Sequence, residues 1–339
     1  MKTFEHGGQI EKFALVLGCE VGEILDLSSN INFIKPKINI DFNTLDISSY
    51  PTYDKLYEKI ASNYEVQKDE IELFNGGSSA IFTLFRNLAL KNCTIYSPAY
   101  LEYKKASLNF GYKLDLINRF EDMRKVVKPN SLVIFVNPST PDGNYYELEE
   151  LMQNWIKNSC TILIDESFLD FCDKPSAIKY LKSYDKLYIL KSMTKFYSSA
   201  GIRVGTIVSR KENIVKLKEF EPMWKLSHFD SIYLQEALND KEFKAISKEI
   251  NIKNRAELEE ILKSSNLVEK IYESSANYLL VKLKDINALK FQELLKPYKI
   301  MVRDCSNFDF LDDRFVRVAV KSSSANERLN KALKNYANQ

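Results

Sequence analysis

A lysine in the middle of the chain lies among residues that could bind a phosphate. The apolar run at residues 187–190 precedes Lys195, and hydroxyl, guanidinium and glycine residues surround it, namely Ser192, Thr194, Gly201, Arg203 and Gly205. Hydroxyl and guanidinium groups donate hydrogen bonds to a phosphate, whereas a free lysine amine can condense with a carbonyl. The stretch predicts a site that combines these two chemistries. A solvent-exposed loop lysine is the alternative.

A glycine-rich loop near residue 76 is a second candidate anion site. Residues 75–79 read Asn-Gly-Gly-Ser-Ser, and they precede apolar residues with helical spacing at Ile81, Leu84, Phe85 and Leu88. The first-turn amides of a helix lack helical partners, and the helix dipole favours negative charge there. We therefore expect Gly77, Ser78 and Ser79 to bind a phosphate. An ordinary serine cap at the start of the helix remains open.

Asp165 and Tyr100 add groups suited to an aromatic ring that carries a basic nitrogen. Asp165 ends an apolar run that predicts a buried strand, where a carboxylate needs a partner. A protonated pyridine nitrogen is such a partner, and the aromatic side chain of Tyr100 could stack on the ring. Together with Lys195, these residues predict pyridoxal 5'-phosphate as the cofactor. Taken singly, Asp165 could cap a helix and Tyr100 could be a core aromatic.

Short apolar runs alternate with helical patterns through the first two thirds of the chain. The runs predict strands at residues 93–96, 132–136, 161–164 and 187–190, with helices from Leu101 and Leu148. This alternation indicates an α/β fold with a mostly parallel sheet covered by helices on both faces, with its chemistry at the carboxyl ends of the strands. Beyond residue 211, helical and strand patterns predict a smaller α+β domain. We expect an N-terminal segment associated with the small domain at 1–30, a large domain at 31–225 and a small domain at 226–339.

Composition and charge favour a small-molecule partner. The 339 residues carry a formal net charge of +2, which gives no argument for binding to nucleic acid or to a membrane surface. The five cysteines are scattered and form no CxxC pair, so neither a disulfide framework nor a zinc site is indicated. The beginning of the sequence has no long apolar run. We expect a cytoplasmic protein that holds no metal.

In combination, these motifs resemble the fold-type I pyridoxal-phosphate enzymes of the class I and II aminotransferase family. The resemblance covers nearly the whole chain. It includes the glycine loop, the aromatic after Ser97-Pro98, the loop at 137–143, the Asp165-Glu166-Ser167-Phe168 stretch, and Thr194-Lys195 followed by Gly201-x-Arg203-x-Gly205. Any one of these motifs alone is weak. The resemblance implies a large cofactor-binding domain, a smaller α+β domain and a homodimer with shared active sites.

Within that family, the chain most resembles the threonine-phosphate decarboxylases, which are related to histidinol-phosphate aminotransferases. The residues that carry this narrower match extend toward both ends of the chain, and they are His6-Gly7-Gly8, 25–32, 165–171, 194–197, 303–307, 317–322 and 326–329. The resemblance implies Lys195 as the lysine that binds the cofactor, Asp165 on its pyridine nitrogen and Tyr100 over its ring. For the cofactor phosphate it implies Gly77, Ser78, Ser79, Ser192, Thr194 and Arg203, with Tyr50 from the other subunit. For the substrate it implies Arg317 on the carboxylate, Asn32 as a further ligand, and His6, Arg303 and Lys321 on the phosphate. Each of these last three could instead be a surface charge.

Three positions depart from the family pattern. Thr140 stands where an asparagine bonds the phenolic oxygen of the cofactor, and its hydroxyl donates only one hydrogen bond. Phe168 stands where many transaminases carry a tyrosine, although the decarboxylases share the phenylalanine. Lys321 replaces an arginine, which removes a bidentate donor. Cofactor electronics and substrate size or charge could therefore differ from those of the relatives.

The expected reaction is the decarboxylation of an O-phosphorylated small amino acid, L-threonine phosphate or L-serine phosphate, to a phosphorylated amino alcohol and carbon dioxide. The two substrates differ by one methyl group, worth about 1 kcal/mol in a pocket, so the sequence leaves the choice open. An aminotransferase acting on a phosphorylated substrate such as histidinol phosphate is the alternative. A regulator or binding protein of the same fold without catalysis is a third reading.

Overall fold

The computed structural model describes residues 8–219 and 221–337. The strands are β1 (Leu25–Asp26), β2 (Ile71–Asn75), β3 (Asn92–Ser97), β4 (Lys113–Asn118), β5 (Leu132–Val136), β6 (Thr161–Asp165), β7 (Leu187–Lys191), β8 (Val204–Ser209), β9 (Val268–Ile271), β10 (Tyr278–Leu283), β11 (Ile300–Met301), β12 (Arg303–Asp304) and β13 (Phe315–Ala319). The helices are α1 (Ile10–Leu17), α2 (Asp54–Tyr64), α3 (Gly76–Leu88), α4 (Leu101–Asn109), α5 (Glu149–Lys157), α6 (Met193–Phe196), α7 (Lys211–Lys218), α8 (His228–Ala237), α9 (Phe243–Lys263), α10 (Ala288–Leu295) and α11 (Ser323–Ala337). Within the described ranges, no helix is both long and apolar enough to cross a membrane.

Seven strands form the central sheet in the order β2-β8-β7-β6-β5-β3-β4. All neighbouring pairs are parallel except those of β8, which runs antiparallel to both β7 and β2. Because β2 and β7 are both antiparallel to β8, they run in the same direction as each other. The carboxyl ends of six strands and the amino end of β8 therefore lie at one edge of the sheet. That edge is where side chains from distant parts of the sequence can meet.

Helices cover both faces of this sheet, which explains why its central strands are apolar throughout. All five residues of β5 are buried, and they alternate between two hydrophobic cores. Val133 and Phe135 belong to one core, whereas Ile134 and Val136 belong to the other. The period of two follows from the pleat, and each buried aliphatic side chain contributes about 1.5–3 kcal/mol to folding. A strand buried on both faces has no place for an alternating polar pattern.

A second, antiparallel sheet with the order β12-β13-β10-β9 lies in the C-terminal part of the chain. It shares a third core with α9, α10 and α11. The N-terminal strand β1 pairs in parallel with β11, and Leu27 packs into the same third core. The segment that follows β1 is therefore attached to the C-terminal part of the chain, although it lies near the beginning of the sequence.

The α/β fold with a mostly parallel, doubly covered sheet confirms the prediction from the sequence. Three strands of the large sheet were not predicted, namely β2, β4 and β8, and β9 of the small sheet was not predicted either. Helix α8 contacts α2 and β8 of the large sheet, and the long α9 then leads to the small sheet. These contacts favour a domain boundary within or near α9, later than residue 225. The proposed division into domains stays a prediction.

Candidate active site

A cavity of about 300 Å³ opens at the edge where the strand ends converge. Four parts of the chain supply its wall: the segment after β1, the first turn of α3, the loops after β5, β6 and β7, and the small sheet. The lining residues include Ser28, Asn30, Gly77, Ser78, Tyr100, Thr140, Asp165, Ser192, Thr194, Lys195, Arg203, Arg303, Phe308 and Arg317. Residues more than 280 positions apart in the sequence thus face one space.

Lys195 projects into this cavity from the short helix α6, directly after the buried strand β7. Burial, together with the charges of Arg317 and Arg203, lowers the pKa of Lys195 to about 8, while Asp165 acts in the opposite direction. A lysine with this pKa has an appreciable neutral fraction near pH 7 to 8. Only the neutral amine is a nucleophile, so the site favours reaction of Lys195 with a carbonyl.

Asp165 is buried at the carboxyl end of β6, and three hydrogen bonds hold its carboxylate. Tyr103 Oη donates to Oδ2 over 2.7 Å, and the amide and hydroxyl of Ser167 donate to Oδ1 over 2.9 and 2.5 Å. Burial raises the pKa of Asp165, and the bonds from Ser167 and Tyr103 partly offset this rise. The carboxylate therefore has a fixed orientation and would gain from a cationic partner in the cavity.

The first turn of α3 lies close to the start of β8, next to Arg203. The side chain of Asn75, which precedes α3, does not bond the first-turn amides, so those amides can bind an anion. A Cβ atom on Gly205 would lie 2.6 Å from the backbone of Gly76 and Gly77. Gly76 has φ +77°, and a Cβ there would meet Nη2 of Arg203. Only glycines allow the helix terminus and Arg203 to approach so closely.

Hydroxyl groups complete this end of the cavity. Ser192 and Thr194 bond each other through their hydroxyls at 2.9 Å, and both line the cavity beside Lys195. Ser78 and Tyr100 form a similar pair, with their oxygens 3.3 Å apart. Burial raises the pKa of Tyr100, so its phenol stays protonated at neutral pH. These groups can rotate to donate to a phosphate.

Two arginines lie directly opposite each other on the small sheet. Arg303 of β12 and Arg317 of β13 are register partners, and both line the cavity. Arg317 donates to Thr140 Oγ1 and to the carbonyl of Ser28, both over 3.2 Å, and its Nε has no hydrogen-bond partner among the described residues. Arg303 donates to Asn307 Oδ1 over 2.9 Å. Two guanidinium groups that line one cavity suit an anionic ligand, since each can donate charge-assisted hydrogen bonds to a carboxylate or a phosphate.

Thr140 links the loop after β5 to the small sheet. It receives the hydrogen bond from Arg317, and the neighbouring Ser139 carbonyl accepts one from Tyr278 over 2.7 Å. Phe168 packs edge-on against the ring of Tyr278. Phe168 cannot supply a phenol, but the buried phenol of Tyr278 lies beside it and donates to the carbonyl of Ser139.

Several of the residues predicted from the sequence lie elsewhere. Asn32 does not line the cavity, and its side-chain amide donates to the backbone carbonyl of Phe196, the residue after Lys195. Lys321 donates to the carbonyl of Ile31 over 2.8 Å, and burial lowers its pKa. Ser79 lies in the first turn of α3 but not in the cavity wall. Tyr50 is 72% exposed and stacks on Trp224 at 4.2 Å. His6 lies outside the described residues.

Other residues of the site were not predicted from the sequence. Tyr103 and Ser167 orient Asp165, and the segment 28–31 and Phe308 line the cavity. Ser167 follows Asp165 by two positions, the spacing at which a serine bonds an aspartate locally, and this signal could have revealed it. Tyr103 left no such signal, because its contact depends on how α4 packs against the sheet.

The residues of the cavity fit pyridoxal phosphate. The uncapped terminus of α3 and Arg203 suit its phosphate, the lysine with a lowered pKa suits its aldehyde, and the buried Asp165 suits its pyridinium nitrogen. Among residues 8–219 and 221–337, no group of His, Cys, Asp and Glu side chains is placed to hold a metal ion.

The model of the family "Aminotransferase class I and II" matches residues 20–335. A Caldanaerobacter subterraneus relative, provisionally named a threonine-phosphate decarboxylase, is 32% identical over 98% of this chain and 94% of its own length. The threonine-phosphate decarboxylase of Salmonella typhimurium is 27% identical over 97% of this chain and 96% of its own. The structure of a histidinol-phosphate aminotransferase from Clostridium acetobutylicum matches with a TM-score of 0.83 and 29% identity, over 93% of this chain and 99% of that one.

These matches extend over nearly the whole chain, including both sheets and the segment after β1. They confirm the family predicted from the sequence, and they confirm pyridoxal phosphate as the cofactor at the level of that family. The chain belongs to the class I and II aminotransferase family of pyridoxal-phosphate-dependent enzymes.

Proposed function

We propose that the protein decarboxylates an O-phosphorylated small amino acid, with L-threonine phosphate and L-serine phosphate as candidate substrates. The observation that carries this proposal is the facing pair Arg303 and Arg317, which lines the same cavity as Lys195. A phosphoamino acid has a carboxylate and a phosphate close together, and two neighbouring guanidinium groups match these two anions. An amino acid with an uncharged side chain offers only one anion to the two guanidinium groups.

Arg317 is the proposed ligand of the substrate carboxylate. It is buried, its position is fixed by Thr140 and the Ser28 carbonyl, and its Nε remains available. Arg303 is less buried, and we assign it the phosphate. A buried, fixed guanidinium suits the group whose orientation decides the reaction, whereas a phosphate at the outer end of the substrate tolerates more movement.

The cofactor, when bound, accepts the electrons of the bond to Cα that breaks. The protein side chains then have three tasks. Asp165 keeps the cofactor nitrogen protonated, and the α3 terminus with Arg203, Ser192 and Thr194 fixes the phosphate. Lys195 binds the cofactor and afterwards can carry a proton to Cα. Contacts within the protein hold the side chains of Asp165, Ser192, Thr194 and Arg203 in place.

The orientation of the substrate separates decarboxylation from transamination. If Arg317 and Arg303 orient the substrate so that the bond from Cα to the carboxylate is the one activated, that bond would break and carbon dioxide would leave; if the Cα–H bond is activated instead, Lys195 would remove the proton as a base. Two relatives that bear the decarboxylase name, at 32% and 27% identity, support the first outcome. The histidinol-phosphate aminotransferase at 29% identity supports the second, which we retain as the alternative.

The test is to incubate the loaded enzyme with phosphothreonine, with phosphoserine, and with histidinol phosphate plus 2-oxoglutarate. Carbon dioxide released without a keto acid is the expected result. Glutamate formed from the third mixture, with no carbon dioxide from the first two, would replace the proposal with the alternative. Lys195→Ala should abolish either activity together with the visible absorption of the lysine-bound cofactor.

A further inference from the structure

We propose that Asn32 is a positioning residue for Lys195 rather than a ligand of the substrate. Asn32 is buried immediately after the segment 28–31 that lines the cavity, but it does not reach the cavity itself. Its backbone amide donates to the carbonyl of Lys195 over 2.9 Å, and its side-chain Nδ2 donates to the carbonyl of Phe196 over 2.8 Å. Two consecutive peptide groups at the lysine are thus held by one residue.

All the hydrogen-bonding capacity of the Asn32 side chain is used. Nδ2 also donates to Ser247 Oγ over 2.6 Å, and Oδ1 accepts from the amide of Ile34 and from Asn251 Nδ2, both over 3.2 Å. A primary amide has two donors and two acceptor positions, so the group is saturated. Ser247 and Asn251 belong to α9 and are completely buried. The orientation of the amide is therefore determined by α9.

The contacts make one unit of three elements that are far apart in the sequence. Asn32 connects the segment after β1 to α6, which carries Lys195, and to α9. Neighbouring carbonyls of the same segment are bound by other side chains, because Asn277 donates to Asn30 and Lys321 donates to Ile31. Of these bonds, only those of Asn32 reach the peptide groups of Lys195 and Phe196. The role of the other two is to hold the segment.

The geometry explains how Asn32 would act on chemistry. The Lys195 amine faces Asp165 of β6, Arg203 before β8 and Arg317 of β13. Its reactivity depends on its distance from these three charges and on its burial. A looser α6 would let the amine move toward solvent, which raises its pKa toward the ordinary value and misaligns it. Misplacement of a reacting group by about 1 Å can reduce a rate about 100-fold.

The first measurement uses the protein without cofactor and does not depend on which reaction the enzyme performs. Lys195 is acetylated with acetic anhydride over a range of pH, and the modified peptide is quantified by mass spectrometry. In Asn32→Ala, the pH at which Lys195 becomes half reactive should rise above the wild-type value. In the loaded enzyme, kcat for the substrate that the assay of the proposed function identifies should fall about 10- to 100-fold, and KM should change less.

Asn277→Ala is the matched control, since it removes another buried asparagine that holds the same segment without contacting the Lys195 or Phe196 peptide groups. It should leave the acetylation profile of Lys195 unchanged. Ser247→Ala provides a milder variant if Asn32→Ala does not fold, because it deprives Asn32 of one partner and should give a smaller shift in the same direction.

Two results would overturn the inference. A raised KM with an unchanged kcat and an unchanged acetylation profile in Asn32→Ala would identify Asn32 as a substrate ligand. Equal shifts in Asn32→Ala and Asn277→Ala would show that Asn32 merely stabilises the segment. The inference assumes a cofactor lysine at 195 but not a particular substrate, so a failed decarboxylation assay leaves the acetylation test intact.

Discussion

Lys191 and Lys195 lie close together in the sequence but have opposite electrostatic environments. Lys191 at the end of β7 is 4% exposed and forms an ion pair with Glu166, which is 3% exposed and also accepts hydrogen bonds from Ser176 and the amide of Ala177. Lys195 forms no ion pair within the described residues and lies near two arginines. Burial of a paired charge is compensated, whereas burial of an unpaired charge destabilises the fold.

We predict that Lys195→Met stabilises the cofactor-free protein at pH 7. The unfolded lysine titrates near 10.5 and the folded one near 8, so between these values the unfolded chain binds more protons, and wild-type stability rises with pH. Each pH unit is worth about 1.4 kcal/mol, but the amine is partly exposed to the cavity, and we expect a gain of about 1–2 kcal/mol. The gain should shrink as the pH approaches 10.

Denaturant unfolding of both proteins at pH 7 and pH 10 measures this difference. Lys191→Met is the control, and it should lose about 3–5 kcal/mol at pH 7 because Glu166 is left as an uncompensated buried charge. A Lys195→Met protein that is less stable than wild type at pH 7, or whose difference does not depend on pH, would contradict the prediction.

The facing arginines should respond differently to a substrate without its phosphate. With phosphothreonine, both Arg303→Ala and Arg317→Ala should reduce kcat/KM about 100-fold, since each removes charge-assisted hydrogen bonds worth about 1.5–3 kcal/mol. With threonine, Arg303→Ala should have little effect, whereas Arg317→Ala should still reduce the rate. Carbon dioxide release measures all four cases. The reverse pattern would exchange the two assignments.

Most residues predicted for the cofactor lie in the cavity, whereas several predicted for the substrate do not. Lys195, Asp165, Tyr100, Ser78, Ser192, Thr194 and Arg203 line one space. They follow strand ends in a parallel sheet, so their convergence follows from topology. The positions of Asn32 and Lys321 depend on how the segment after β1 meets α9 and the small sheet. Contacts of that kind are set by tertiary packing and leave no local pattern.

At the scale of elements, the close approach of α3 and β8 forms the phosphate end of the cavity. We predict that Gly205→Ala weakens cofactor binding at least about tenfold, because its Cβ would displace the backbone of Gly76 and Gly77, whose amides are expected to bind the phosphate. Gly201→Ala is the matched control, since no atom lies within 4 Å of a Cβ at that position.

Titration of both glycine variants with pyridoxal phosphate, followed by visible absorption, tests this prediction. Gly201→Ala should bind the cofactor like the wild type, and thermal unfolding of the cofactor-free proteins shows whether Gly205→Ala is folded. Normal cofactor affinity in a folded Gly205→Ala protein would mean that the terminus of α3 does not hold the phosphate.

The elements predicted from the sequence are those whose patterns are local. Central strands of the large sheet are buried on both faces and read as continuous apolar runs. The edge strand β4, with the sequence KLDLIN, is mostly half-buried, and β2 passes into α3 without a turn, so neither gives a clear strand signal. Strand β8 carries Gly205 where the helix terminus approaches it. Because the close approach of the helix requires glycine at this position, the sequence of β8 does not show a clear strand pattern.

At the scale of the whole molecule, an exposed apolar surface lies beside the phosphate end of the cavity. Tyr50 stacks on Trp224, and Met223 and Ile47 are also exposed, at 73% and 63%. The carbonyl of Lys225 accepts a hydrogen bond from Asn75, the residue that precedes α3. Exposed aromatic and methionine residues are enriched in interfaces between subunits. The homodimer with Tyr50 in the neighbouring active site, which the family resemblance implies, stays a prediction.

We predict that Trp224→Glu weakens dimerisation and cofactor binding together, because a charge would replace an apolar contact next to the shared site. Sedimentation velocity measures the first effect, and cofactor titration measures the second. Leu15→Glu is the control, since Leu15 is 82% exposed on α1 and should tolerate the charge. A wild-type protein that sediments as a monomer with full cofactor affinity would refute the prediction.

The pairing of β1 with β11 has a consequence for the order in which the molecule matures during synthesis. Residues 76–205, which supply the cofactor end of the cavity, emerge from the ribosome before the small sheet exists. The segment after β1 emerges earlier than these residues, but its partners Arg317 and Lys321 lie 289 and 290 positions later. Contacts of such sequence separation form slowly. A nascent chain can therefore form the cofactor side of the cavity before it can form the substrate side, and the segment after β1 finds its partners only once the small sheet has been synthesised.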